Sequence, residues 1–170
     1  MHETLMLLLQ KVQGKVFELS LEKGFASEQF IDLFMRSKCA ADLDMTFNRL
    51  QWLGEEYIME ELIDELGGKL VHGKQYSEDA MFWIGYTYRF WHFHTGESSR
   101  NISHQASADK MVRAYPGYHT FANMELAVEK LKEDAEARDR RAEEKRRRRK
   151  DYESGETVLS PAAAKTVRKT

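Results

Sequence analysis

The 170-residue sequence predicts an all-α fold: a compact helical bundle with a long, charged C-terminal helix and a disordered tail. Three observations carry this expectation. Apolar residues recur at three- and four-residue steps through most of the chain, the spacing of helices with one buried face. Only two prolines, Pro116 and Pro161, interrupt the sequence, so long helices meet almost no internal breaker. Hydrophobic residues make up 42% and aromatics 11%, enough to build a core rather than remain unfolded.

Leu5, Leu9, Val12, Val16 and Leu19 define the first helix, which Gly24 is placed to stop. Ser27 offers the next N-cap, with Glu28 and Gln29 in the following turn. Phe30, Leu33 and Phe34 then form the inward stripe of a short second helix. Asp42 or Asp44 is positioned to cap a third, with Phe47, Leu50 and Leu53 facing inward. A fourth is predicted from about Glu55 to Leu66, burying Ile58, Leu62 and Leu66 and ending at Gly67-Gly68.

Leu70 to Gln75 reads as a connection. Ser77 followed by Glu78 and Asp79 is a strong helix start, because hydroxyl and carboxylates satisfy the free N–H groups and the helix dipole. The helix from there to about Thr95 is the most apolar in the chain: Met81, Ile84, Tyr88 and Trp91 on one face, widened by Phe82, Trp83, Tyr86, Phe90 and Phe93. Such a helix belongs at the centre of its bundle. Gly85 costs about 1 kcal/mol there relative to alanine, which points to close approach by a neighbour. Short helices are expected from Ser98 or Ser99 and from Ser107 through Val112, with Pro116-Gly117 as a turn. From about Asn123 a last helix carries Met124, Ala127, Val128 and Leu131, then loses its apolar face. These signals divide the chain into a bundle domain over 1–132, a charged helical arm over 133–150 and a flexible tail over 151–170.

The formal net charge of -2 conceals an asymmetry. Residues 1–132 carry 14 Lys and Arg against 19 Asp and Glu, whereas residues 133–150 carry 9 against 6. An acidic body with a basic arm is a statement about partners rather than fold. The lone Cys39 excludes an intrachain disulfide framework and a four-cysteine zinc site, and fits a reducing cytoplasm. No run reaches the roughly 18 apolar residues of a membrane span, so no membrane partner is expected. No cofactor is indicated: nucleotide-binding glycine loops and hydrolase motifs are absent from the sequence.

Arg89 and His94 satisfy R-x4-H, a loose signature of helical ribonucleases of the HEPN class. In that chemistry His moves a proton from a ribose hydroxyl while Arg steadies the phosphate. Five residues of helix place the pair roughly 140° apart, so the competing reading is a buried Arg and His held by carboxylates or backbone. His92 and His94, two apart on a helix, point in different directions and cannot chelate one metal ion locally. The acids Glu56, Glu60 and Asp64 form one row and Glu61 and Glu65 another, a solvated face or a docking ridge for a basic surface. Lys145 to Lys150 is an unbroken basic run able to hold nucleic-acid phosphates or an acidic groove.

Two stretches carry a resemblance. Gln51-Trp52-Leu53-Gly54-Glu55-Glu56-Tyr57-Ile58, with Glu60-Glu61-Leu62 after it, is similar to a segment of small uncharacterised helical bacterial proteins. Ile84-Gly85-Tyr86-Thr87-Tyr88-Arg89-Phe90-Trp91-His92, continuing through Thr95-Gly96-Glu97-Ser98-Ser99, resembles a second segment of that group, followed by Tyr118-His119-Thr120 and Glu129-Lys130-Leu131. The resemblance spans roughly residues 25–133 and excludes the basic arm. Members are encoded beside ADP-ribosyltransferase-like toxins and are taken to be antitoxin components. The resemblance therefore implies a cytoplasmic, non-enzymatic protein that binds and neutralises a toxin. Expected partner contacts are Glu56, Glu60, Glu61 and Asp64; Arg89, His92, Glu97 and Arg100; and, on the arm 138–150, Arg141, Arg146, Arg147, Arg148 and Arg149. The alternatives are a HEPN-like ribonuclease using Arg89 and His94, and a nucleic-acid-binding module using the arm alone.

Overall fold

A helix that is apolar around most of its circumference must be surrounded, and the other helices arrange themselves to that end. The computed structural model describes residues 2–155. Among these it contains eight α-helices and no strand: α1 Glu3–Glu22, α2 Ser27–Arg36, α3 Lys38–Asp44, α4 Glu55–Leu66, α5 Glu78–Thr95, α6 Ser99–Gln105, α7 Ala108–Tyr118 and α8 Met124–Glu153. One isolated antiparallel bridge joins Phe25 to His72. The all-α class is therefore what the chain adopts. Its contacts divide it into two units between Lys132 and Glu133.

In the first unit α5 packs on α1, α6 and α7, while α4 lies on α1 and α2 contacts α3, α6 and α7. Met81, Ile84, Tyr88 and Trp91 of α5 are all buried. Phe17 of α1 sits among Phe30, Phe34 and Tyr88, with ring centroids 5.5, 5.1 and 6.4 Å away in edge-on geometry. Two glycines set the spacing of α1 and α5. A Cβ on Gly85 would lie 2.7 Å from the Gln13 carbonyl oxygen and 2.8 Å from the Phe17 ring. A Cβ on Gly14 would meet the Phe82 ring at 2.6 Å. The close neighbour that Gly85 anticipates is thus α1.

Helices α4 and α5 occupy the segments their sequence signals mark, closed by Gly67 and Gly96 at positive φ. Four local expectations give way. Ser27 is not an N-cap but the first residue of α2; its hydroxyl accepts the Tyr76 amide instead. The third helix starts at Lys38, capped by the Ser37 hydroxyl, and ends at Asp44 rather than beginning there. Beyond it the chain turns through Met45–Asn48 into a 3-10 turn, Arg49–Trp52, so Leu50 is buried but Phe47 points outward. Pro116-Gly117 falls inside the last turn of α7, not in a turn of its own. That end of α7 is exposed, and water can take the carbonyl that proline leaves unbonded. Helix α8 also runs to Glu153, past the predicted end at 150. The flexible tail expected beyond it lies, from residue 156 onward, outside the described residues.

Candidate functional site

Single exposed apolar side chains are ordinary, but several within a short segment mark a candidate interaction surface. Between positions 45 and 57 four of them are exposed: Met45 52%, Phe47 85%, Trp52 73% and Tyr57 41%. The backbone that presents them is well tied down. The Asn48 side chain accepts the Leu50 amide at 2.9 Å, and the Gln51 side chain reaches back to the Asn48 amide, a reciprocal capping box. The Gln51 amide group also donates to the Met45 carbonyl, and Gln51 itself is only 2% exposed. Leu50 is buried beneath the turn, and Arg49 pairs with Glu61 of α4 at 3.3 Å. The aromatics therefore project from an ordered turn, which lowers the entropy cost of binding through them.

Helix α4, next in the chain, exposes charge. Glu56, Glu60 and Asp64 are exposed, spaced one turn apart, and without a cationic partner among the described residues. The second acidic row is used internally. Glu61 takes Arg49, and Glu65 accepts the Lys38 and Cys39 amides at 2.9 and 3.0 Å, capping α3. Beside α4, Glu18 and Glu22 of α1, Glu55 and Glu56 of α4 and Glu78 line one groove. Partial burial, then the charges of Glu78 and Asp79, push the Glu18 carboxyl above its ordinary range. Lys15, which also lines the groove, opposes that shift.

The polar positions of α5 face inward. Arg89 is 1% exposed and each of its guanidinium nitrogens donates one hydrogen bond: Nε to Gln13 Oε1 at 2.8 Å, Nη1 to Asp44 Oδ1 at 2.7 Å and Nη2 to Ser99 Oγ at 3.3 Å. Asp44 in turn accepts the Ser99 amide and hydroxyl, both at 2.7 Å. Burial lowers the Arg89 pKa while Asp44 raises it. His92 Nδ1 lies 2.7 Å from the Glu97 carbonyl oxygen, and burial followed by the Arg89 charge lowers its pKa. Burial alone would raise the Glu97 carboxyl, but donors from Lys132, Gln105 and Trp91 hold it at about 2. Of the α5–α6 positions expected at a partner surface, Arg100 alone is exposed, donating to the Arg36 carbonyl at 3.2 Å.

His94 takes no part in this network. Its ring stacks on Phe90 with centroids 5.5 Å apart, and its Nε2 lies 3.7 Å from Glu125. The structure thus holds Arg89 in the interior and His94 at a partly exposed rim, and it brings no reactive pair together. In the second unit every basic side chain of the arm is exposed. Arg148 and Arg149 pair with Glu144 and Glu153 at 2.6 and 2.7 Å, whereas Arg141, Lys145, Arg146, Arg147 and Lys150 have no carboxylate partner among the described residues. Among those residues no group of three or more His, Cys, Asp or Glu is placed to hold a metal ion, and no helix is long and apolar enough to cross a membrane.

Sequence reasoning overlooked Phe47, Trp52 and Asp44. A signal for the first two was present. Phe47, Leu50 and Leu53 recur at three-residue steps alone, the period of a 3-10 turn, and Asn48-x-x-Gln51 is a capping-box pattern. Nothing local marks Asp44, whose partners lie 45 and 55 residues away. No family model, no curated protein and no solved structure matches the chain.

Proposed function

We propose that this protein acts by binding: an antitoxin-like interaction protein that docks on a partner toxin in the cytoplasm and neutralises it. The observation that carries the reading is the ordered turn at Met45–Trp52, which holds Phe47 and Trp52 in solvent and is followed in the chain by the unpaired row Glu56, Glu60 and Asp64. Aromatic anchors flanked by charge are the usual makeup of an interface hot spot and its rim. The partner fitting this surface is a basic protein face with an apolar recess. An ADP-ribosyltransferase-like toxin is the partner that the sequence resemblance implies. The interior position of Arg89 supports the non-enzymatic reading, because a guanidinium 1% exposed and held by Gln13, Asp44 and Ser99 is out of reach of a scissile phosphate in solvent.

Co-expression with the toxin encoded beside it tests the reading. Wild-type protein is expected to be harmless alone and to restore growth, and the double variant F47A/W52A to fail while remaining helical. Growth arrest by the protein alone, relieved by His94→Ala, would establish the ribonuclease reading instead. The unpaired cations on α8 favour a second role for the arm, holding nucleic acid. Charge reversal of Lys145, Arg146 and Arg147 should then abolish salt-sensitive DNA or RNA retention, and retention unchanged by it would exclude that role.

A further inference from the structure

A second feature of the first unit is independent of the docking surface. The end of α2, the start of α3 and the start of α6 enclose a cleft of about 390 Å³. Its polar walls are Arg36, Lys38, Asp44, Ser98, Ser99 and Arg100. Three exposed cationic residues from three helices thus line one cleft, in a body whose overall balance is acidic. The carboxylate in the floor is already answered. Asp44 is 13% exposed and takes Arg89, the Ser99 amide and the Ser99 hydroxyl, so its charge is compensated from below. Lys38 gives one proton to Asp42 at 2.6 Å and keeps its ammonium 77% exposed. Arg100 directs one N–H to the Arg36 carbonyl, and the Arg36 guanidinium has no partner among the described residues. The Ser98 hydroxyl oxygen accepts the Asn101 amide, which leaves its own proton to donate.

We infer that this cleft binds the phosphoryl group of a small phosphorylated ligand, with Arg36 and Arg100 as its guanidinium clamp and Lys38 as a third charge. Each planar guanidinium can grip two phosphate oxygens at once, a geometry that a halide does not exploit, and the double charge of a phosphoryl group answers the cleft's cations better than the single charge of a carboxylate. The volume lies in the range of small-molecule sites and exceeds what one phosphate fills, which leaves room for an organic group on the ligand. Met35 and Ala41, which also line the cleft, are the side chains available to that group.

Titration of the full chain with inorganic phosphate and pyrophosphate, followed by amide NMR shifts, tests this. Saturable shifts centred on Ser98, Ser99 and Arg100 are expected, with pyrophosphate bound at a Kd below about 1 mM at low salt. R36Q/R100Q should weaken binding at least about tenfold, while R36K/R100K, which keeps the charge and loses the fork, falls between. Neutralising the arm with K145Q/R146Q/R147Q should leave the Ser98–Arg100 shifts unchanged. Both Arg variants alter exposed side chains, so each should keep the wild-type circular dichroism spectrum and report on binding rather than folding. Failure to saturate by about 10 mM pyrophosphate, shifts confined to the arm, or equal binding by R36Q/R100Q would each overturn the assignment.

Discussion

Arg89 and Trp52 belong to the residue types most enriched at binding hot spots, yet the fold treats them oppositely. Arg89 is 1% exposed, with Gln13, Asp44 and Ser99 taking its donors. Trp52 is 73% exposed on a turn whose backbone is fastened by Asn48 and Gln51. In one region polar groups are buried and satisfied; in the other apolar groups are exposed and held still. Residue type alone therefore does not identify the working surface. What separates the two regions is whether the side chain's needs are met within the chain. Arg89 is enclosed by its partners within the chain, whereas Phe47 and Trp52 stand in solvent.

The sharpest way to break this contrast is to remove Arg89. Arg89→Met leaves the largely buried Asp44 without its counter-charge and should cost about 3–5 kcal/mol in urea unfolding. A loss under about 1 kcal/mol, the range of an exposed pair, would mean the network does not anchor the interior. Gly85→Ala comes next. Its new Cβ runs into the Gln13 backbone, which cannot swing aside, so overpacking of about 1–3 kcal/mol should exceed the helix-propensity gain of about 1 kcal/mol. Gly14→Ala meets the edge of the Phe82 ring, which can rotate, and should lower the melting temperature less than Gly85→Ala.

The same interior predicts a pH profile. His92 has a lowered pKa, set by burial and the Arg89 charge. The unfolded chain therefore binds its proton more readily, and stability falls as pH drops below about 6.5. Glu97 is held at about 2, so a second decline follows between its ordinary value of 4.5 and 2. Glu18, with its raised pKa, partly offsets that loss. Glu97→Gln should flatten the decline below pH 4.5, as urea midpoints across pH 2–7 would reveal. The smallest stability effect belongs to the surface: F47S and W52S should each stay within about 0.5 kcal/mol of wild type. A large loss from either would make these aromatics structural after all.

Helices whose signals are local are legible in the amino-acid sequence alone. The segment Glu55–Leu66 carries its period, its acidic first turn and its glycine stop together, and α4 has those bounds. Ser77 and Gly96 frame α5 in the same way. The region 42–53 is opaque because tertiary partners override local chemistry. Asp44 has the side chain of a helix cap, but Arg89 and Ser99 claim it, and α3 takes Ser37 instead. An inward Phe47 follows from a helical reading of a three-residue period that a 3-10 turn satisfies equally. For the candidate site, the acids Glu56, Glu60 and Asp64 are legible as an exposed row, whereas Arg89, His92 and Glu97 are not separable from surface residues. The burial of Arg89 depends on Gln13 of α1 and on Asp44, both distant in sequence, and Asp44 in turn holds the start of α6 over the end of α5.

The proposed docking role of this turn is tested most directly by calorimetric titration of the proposed partner, an ADP-ribosyltransferase-like toxin, into wild-type protein and into F47A/W52A, with melting temperatures recorded in parallel. Docking through the turn at Met45–Trp52 requires a melting temperature close to wild type and an affinity at least about 30-fold weaker in the variant. Unchanged affinity at unchanged stability would contradict it, and would move the docking surface away from that turn.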